Sequence, residues 1–347
     1  MPREQLFIRG IGAYLPGRVD AQWAVRQGLY PAEEAATSEL TGALVAGDMP
    51  APEMALHAAR DAVKRAGQHP EDLDLLLYVD TWLQGPEGWL PCTYLQHHLT
   101  GGGVPAFEMR QGCGGMFVAM ELAAGYLAAD PARSAALLVS ADNYGTPLVD
   151  RWTAGPYILG DAATAMVLSK EEGFARVCSV HSATVLEEAE LNRGGQPIFP
   201  PAVTIGAPVK FNARFIGNGS QPPGYRAELA ARMIRLHAQF QELVDATMAE
   251  AGVTAADITR LATINTRREV VTNRGMDTLG VDLAKSTWDY GRTIGHCGAS
   301  DQLLSFEHLL SSGELRPGDH LMMLATGPGI MLHCAIIEIL RPPPWLG

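Results

Sequence analysis

PAFEMRQGCGGMFVAMELAA, residues 105–124, sets Cys113 between glycines where a strand-like run gives way to an apolar helical run. Gln111-Gly112-Cys113-Gly114-Gly115 reads as a sharp turn, because glycine tolerates backbone angles that other residues avoid and lets a substrate approach the main chain. A helix beginning there offers free amides and the positive end of its dipole, both of which favour a thiolate. A cysteine so placed can act as a nucleophile, and its own amide can donate to an oxyanion. Taken alone, the turn is equally compatible with a buried structural cysteine.

On either side of the turn, short apolar runs alternate with helical patterns, the mark of an α/β protein. Strands are expected over residues 6–15, 75–79, 104–109, 135–141 and 163–168, with helices over 51–66 and 114–129. The second half repeats the rhythm: strands over 177–186, 258–265, 320–324 and 330–337, helices over 226–251 and 301–310. This similarity of order suggests an internal duplication, with residues 1–175 carrying the nucleophile and residues 176–347 the rest of the site. Residues 192–225, rich in Gly, Pro and Asn, read as a binding loop or a disordered one.

With 347 residues, 47% of them hydrophobic and 18% charged, the chain can bury a large core. A formal charge of −12 argues against nucleic acid as a main partner, since phosphate recognition needs a basic face. No basic and apolar leader opens the chain, and no apolar run reaches the ~20 residues of a membrane span. The expectation is a cytoplasmic protein. Its five cysteines lack any Cys-x-x-Cys spacing, which suits reduced thiols better than a disulfide framework or a zinc site.

The segment around Cys113 resembles the nucleophile segment of β-ketoacyl-ACP synthase III and its relatives. LGDAATAMVL at residues 159–168 resembles the family's Gly-Asp turn and strand, and ATGPGIMLH at 325–333 resembles its closing Gly-x-Gly stretch. The resemblance implies a five-layered α-β-α-β-α thiolase fold with internal duplication, normally a homodimer, with Cys113 carrying the acyl group and no cofactor or metal. It also makes residues 82–94 candidates for the dimer interface and acyl pocket, with Trp89 and Leu90 shaping it or simply packing.

Two positions depart from the family's condensing enzymes, which use Cys, His and Asn to stabilise the enolate left by a decarboxylating malonyl thioester. Where the resemblance calls for His-Gln-Ala-Asn, this chain has Asn265-Thr266-Arg267-Arg268 after Ile264. Where it calls for the asparagine loop, Gly295-His296-Cys297-Gly298 stands, which puts His296 in the asparagine's place. Loss of the enolate-stabilising pair disfavours decarboxylative condensation. An imidazole beside a cysteine thioester supplies a general base instead. Asp301 is the nearest carboxylate to orient it, with capping of the next helix as the competing role. Asn265 is a candidate for a supporting hydrogen bond, and Cys297 reads as a small filler residue.

The resulting Cys-His-Asp set resembles that of ketosynthase-III-like acyltransferases of antibiotic and polyketide pathways. In the closing stretch Pro328 has no N–H to give. The oxyanion is therefore left to the Cys113 amide, with Gly329 as the second candidate.

For the donor, residues 21–29 carry only a faint echo of the family's coenzyme-A clamp, so an acyl carrier protein is favoured over acyl-CoA. Arg267, Arg268 and Arg274 form the candidate docking cluster, a solvated charged turn being the other reading. The expected acceptor is a small molecule. The leading function is acyl transfer without decarboxylation to a hydroxyl, an amine or a second carrier. A decarboxylative starter-unit condensing enzyme and a non-catalytic ketosynthase-like subunit are the alternatives.

Overall fold

Tight strand packing against helices begins at β1 (Leu6–Tyr14), whose Gly10 and Gly12 lie directly against the backbone of α1 (Ala51–Ala66). The computed structural model describes residues 5–200, 204, 206–209, 225–273 and 280–346. Most of the loop at 192–225, and Arg274, lie outside the described residues. The remaining strands are β2 (Arg18–Asp20), β3 (Gly42–Leu44), β4 (Leu75–Asp80), β5 (Ala106–Arg110), β6 (Ala135–Asp142) and β7 (Ala162–Ser169). They continue with β8 (Ala175–Thr184), β9 (Ile258–Ala262), β10 (His320–Gly327) and β11 (Met331–Ile339). Beyond α1, the longer helices are α2 (Gly115–Ala128), α3 (Tyr225–Ala251) and α4 (Asp301–Ser311).

Among the described residues nine strands join in the order β5-β4-β6-β7-β1-β8-β11-β10-β9, while β2 and β3 form a separate ribbon. The duplication is legible in the pairing. In the first half β4 runs parallel to β6, β6 antiparallel to β7, and β7 antiparallel to β1. In the second half β9 runs parallel to β10, β10 antiparallel to β11, and β11 antiparallel to β8. The halves meet where Leu6, Phe7 and Ile8 pair with Val177, Arg176 and Ala175.

The apolar clusters divide into layers. Met54, Ala58 and Ala62 of α1 pack on one face of the first-half strands. Phe240 and Val244 of α3 pack on the second-half strands. Between the halves, Met116, Phe117 and Met120 of α2 share one core with Leu303, Phe306 and Leu309 of α4. The result is the α-β-α-β-α sandwich. Helix α2 is apolar nearly all round, but only the side carrying Met116, Phe117, Ala119, Met120, Ala123 and Leu127 is buried, and Leu122 on the other side is exposed. Strand β9 ends at Ala262, short of the expected residue 265, because the chain turns away to bring Asn265 into the site.

A side chain at Gly12 would overlap the Ala58 carbonyl and the Ala62 nitrogen. Gly12→Val should lower the urea midpoint of unfolding, with a cost of about 1–3 kcal/mol for overpacking and an unchanged m-value.

Candidate active site

Cys113 sits in a single 3-10 turn, Gly112–Gly114, that feeds directly into α2. Each glycine of the turn has a steric reason. Gly112 holds φ +65° with the Pro328 ring against its α-carbon, and a Cβ on Gly114 would collide with the His333 imidazole. His333 is fully buried, stacked on Phe117 at 5.5 Å and hydrogen-bonded through Nδ1 to Ser182 Oγ at 2.8 Å. Burial pushes its pKa down to about 4, so it packs as a neutral ring beneath the turn.

Across the cavity, Gly295 at φ +77° turns the chain into His296, whose amide donates to Ile158 O at 2.7 Å. His296 Nε2 lies 2.9 Å from Cys113 Sγ, and its Nδ1 lies 2.5 Å from Asp301 Oδ2. Asp301 is the first residue of α4, but its carboxylate turns back from that helix. It accepts the Cys297 amide at 2.7 Å, the Asn265 amide at 2.7 Å and Asn265 Nδ2 at 2.9 Å. A fully buried carboxylate needs such partners, since an unpaired buried charge is costly. Asn265 Nδ2 also lies 2.8 Å from Gly295 O, so this amide group serves Asp301 and the histidine loop.

Burial works against an imidazolium at His296, but the Cys113 sulfur and then the Asp301 carboxylate outweigh it. Together they raise the pKa well above the ordinary value. The Tyr157 ring leans over the imidazole at 4.6 Å and 49°.

Not every expected residue joins the set. The Gly329 amide, a candidate oxyanion donor, donates to Asn192 Oδ1 at 2.8 Å. Cys297 is fully buried, a filler as expected. Arg267 pairs with Glu34, and Arg268 lies 3.6 Å from Glu39 while also leaning over Trp288, so acids of this chain already neutralise the two described arginines of the cluster. Trp82 lines the cavity, but Trp89 packs on Gly85 and Leu90 is half exposed outside it.

Other residues were not anticipated. Asp142, the last residue of β6, accepts the Thr81 and Trp82 amides at 2.9 Å each, and burial pushes it up to about 7. Thr81 Oγ1 is hydrogen-bonded to the Tyr144 hydroxyl, and both groups crowd Gly298. An aspartate closing an otherwise apolar strand was the one available signal.

The cavity in front of Cys113 and His296 measures about 1100 Å³ and extends to Leu229, Met233 and Phe240 of α3. It is somewhat larger than the roughly 300–1,000 Å³ of ordinary small-molecule sites.

Residues 107–185 match the family 3-oxoacyl-[acyl-carrier-protein] synthase III, and residues 248–339 match the C-terminal part of the same family. A solved structure described as the acyltransferase ChlB3 superposes with a TM-score of 0.91 at 51% identity, covering 98% of this chain and 99% of that one. The chain belongs to the ketosynthase-III-like family. Within it, similarity also extends to the acetoacetyl-CoA synthase NphT7 of Streptomyces sp. strain CL190, 26% identical over 95% of this chain and 98% of that protein. The β-ketoacyl-[acyl-carrier-protein] synthase III of Hyphomonas neptunium is 25% identical, over 96% and 98%. The synthase III structure from Aquifex aeolicus, 18% identical with a TM-score of 0.75 over 96% of this chain and 99% of that one, shares the fold. Family membership makes the protein an enzyme of the ketosynthase and acyltransferase kind, acting on acyl thioesters. Among the described residues no helix is long and apolar enough to cross a membrane.

Because the Cys113 sulfur and Asp301 both raise the His296 pKa, removing either should lower it. In ¹⁵N-histidine NMR titrations, Cys113→Ala and Asp301→Asn should each deprotonate the His296 imidazole at lower pH than wild type.

Proposed function

We propose that the protein loads an acyl group from a carrier-protein or coenzyme-A thioester onto Cys113 and transfers it, without decarboxylation, to a hydroxyl acceptor. An amine or a second carrier thiol fits the same chemistry. The observation that carries this reading is the continuous Cys113–His296–Asp301 hydrogen-bonded line, with Asn265 committed behind it. A condensing enzyme needs two donors aimed at an enolate oxygen. Here the residue at the histidine position serves Asp301, and the residue at the asparagine position is a base pinned to a carboxylate.

In the first half-reaction the Cys113 thiolate attacks the donor carbonyl, and the tetrahedral oxyanion is held by the Cys113 amide at the head of α2. Collapse expels the donor thiolate, which takes the proton from the His296 imidazolium. Having given up that proton, His296 is neutral when the acceptor arrives, and the acylated sulfur no longer raises its pKa. It then takes the acceptor hydroxyl's proton as the oxygen attacks the thioester, and Asp301 holds Nδ1 and offsets the new positive charge. Cys113 leaves as thiolate beside the imidazolium, which restores the starting pair.

The cavity supports a sizeable acceptor, because it measures about 1100 Å³ and reaches a largely apolar wall of α3 that also carries Arg232 and His237. Likeness to ChlB3 supports the acyltransferase reading, and a place in secondary metabolism, in the cytoplasm and as a homodimer, belongs to the same proposal. The names of the 25–26% identical relatives favour the decarboxylative alternative.

A labelled acyl thioester should label wild type and leave Cys113→Ala bare. His296→Ala should slow transfer to acceptor on the order of 10²–10⁴-fold, the usual weight of a general base. Malonyl carrier protein should release no carbon dioxide. Release matched by ketoester formation would establish condensation instead.

A further inference from the structure

Three side chains of differing chemistry meet on adjacent strands far from Cys113. Cys178 of β8, Glu338 of β11 and His320 of β10 each place a ligand atom within 4.8 Å of the other two. His320 and Glu338 are direct register partners, as are Glu338 and Arg176, so these three project from one face of the sheet, and the Cys178 sulfur lies within 4.8 Å of the His320 and Glu338 donors. His320 begins β10, and Gly327 near the nucleophile turn ends it, a separation of roughly 20 Å along an extended strand.

The backbone here is irregular in two places. Ile336 pairs with Ser179 but Ile337 pairs with Val177, which leaves Cys178 as the extra residue of a bulge in β8. His320 pairs with Ile258 but Leu321 with Arg260, which leaves Thr259 extra in β9 beside the histidine. Bulges re-aim side chains and concentrate near functional sites. In this sheet they flank the cluster on both sides.

A thiolate, an imidazole and a carboxylate form a donor set suited to a borderline cation such as Zn²⁺, held at about 2.0–2.3 Å in tetrahedral sites. The donor atoms, all within 4.8 Å of one another, stand at most about 1–1.5 Å wider than the roughly 3.3–3.8 Å separations that tetrahedral bonds of 2.0–2.3 Å set, and the half-buried setting leaves a fourth position to water. Arg176 is the apparent obstacle, because it is paired with Glu338 Oε2. A carboxylate has a second oxygen to give, and ligating carboxylates are commonly held by an outer hydrogen bond of this kind. Thiolate and carboxylate together bring two negative charges. Arg176 offsets one of them, and the remaining charge still favours a dication.

We propose that Cys178, His320 and Glu338 form a Zn²⁺-class site that ties β8, β11 and β10 together at the end of the sheet remote from the nucleophile. Binding releases the Cys178 thiol proton to solvent and leaves the metal with three protein ligands and one water.

The test uses the full chain, stripped with a chelator, in a Cys113→Ala background so that the other thiol–imidazole pair cannot contribute. Cobalt(II) titration should give a near-ultraviolet thiolate-to-metal charge-transfer band that saturates at one equivalent and is displaced by Zn²⁺. Adding Cys178→Ser should abolish the band. His320→Asn, on a half-buried side chain, should weaken Co²⁺ binding by at least the roughly 10–100-fold that even an outer-shell loss costs. A Cys113→Ala protein without the band, a band that survives Cys178→Ser, or unchanged affinity in His320→Asn would each overturn the proposal.

Discussion

One buried carboxylate organises the site. Asp301 receives the His296 ring, the Cys297 amide and both N–H groups of Asn265, drawn from the end of β9, the loop after Gly295 and the start of α4. A carboxylate with no exposed surface is stable only if its lone pairs are filled, and hydrogen bonds to a charged group are worth about 1.5–3 kcal/mol each. The same bonds that satisfy Asp301 therefore hold His296 in one orientation and fix the two loops relative to α4. Helix capping and the catalytic line do not compete for it: the α4 N-cap residue is Ser300, and Asp301 faces backward.

Opposite that carboxylate, steric limits hold the nucleophile. Pro328 against Gly112 and His333 against Gly114 leave the turn no room for other residues. Pro328 thus acts by shape where it has no amide to offer, and the Gly329 amide is spent on Asn192. In the proposed reaction the oxyanion is left to the Cys113 amide at the head of α2, where the helix dipole adds favourably to a single hydrogen bond. Attack on a thioester, with its good leaving group, asks less of such a hole than enolate formation does.

How much of this was legible in the sequence follows from the range of each interaction. The α-β rhythm and the strand–turn–helix at Cys113 are local patterns, so the layers and the nucleophile turn could be read directly. His296 and Asp301 lie five residues apart, so their pairing was within reach of a loop argument. Asn265 is legible only as a candidate supporting donor, because the carboxylate it serves is 36 residues away. The arginine cluster looked basic because its neutralising acids, Glu34 and Glu39, come from the other end of the chain. Asp142, Thr81 and Tyr144 converge through the parallel pairing of β4 with β6, which no local pattern reveals. The Cys178 bulge is likewise a property of register.

The proposed change from condensation to acyl transfer rests on where positive charge can reside. Enolate chemistry needs neutral donors facing an oxygen that becomes negative after carbon dioxide leaves. In this chain the imidazole hydrogen-bonded to Cys113 is tied on its far side to a carboxylate that favours its protonated form. That arrangement suits a group that gives up a proton when the donor thiol departs and takes one back when a hydroxyl attacks. In the proposed acyl-enzyme the sulfur is a thioester and no longer one of the groups that raise the His296 pKa. His296 then serves in the proposed acyl transfer as acid in one half-reaction and base in the other, held throughout by Asp301.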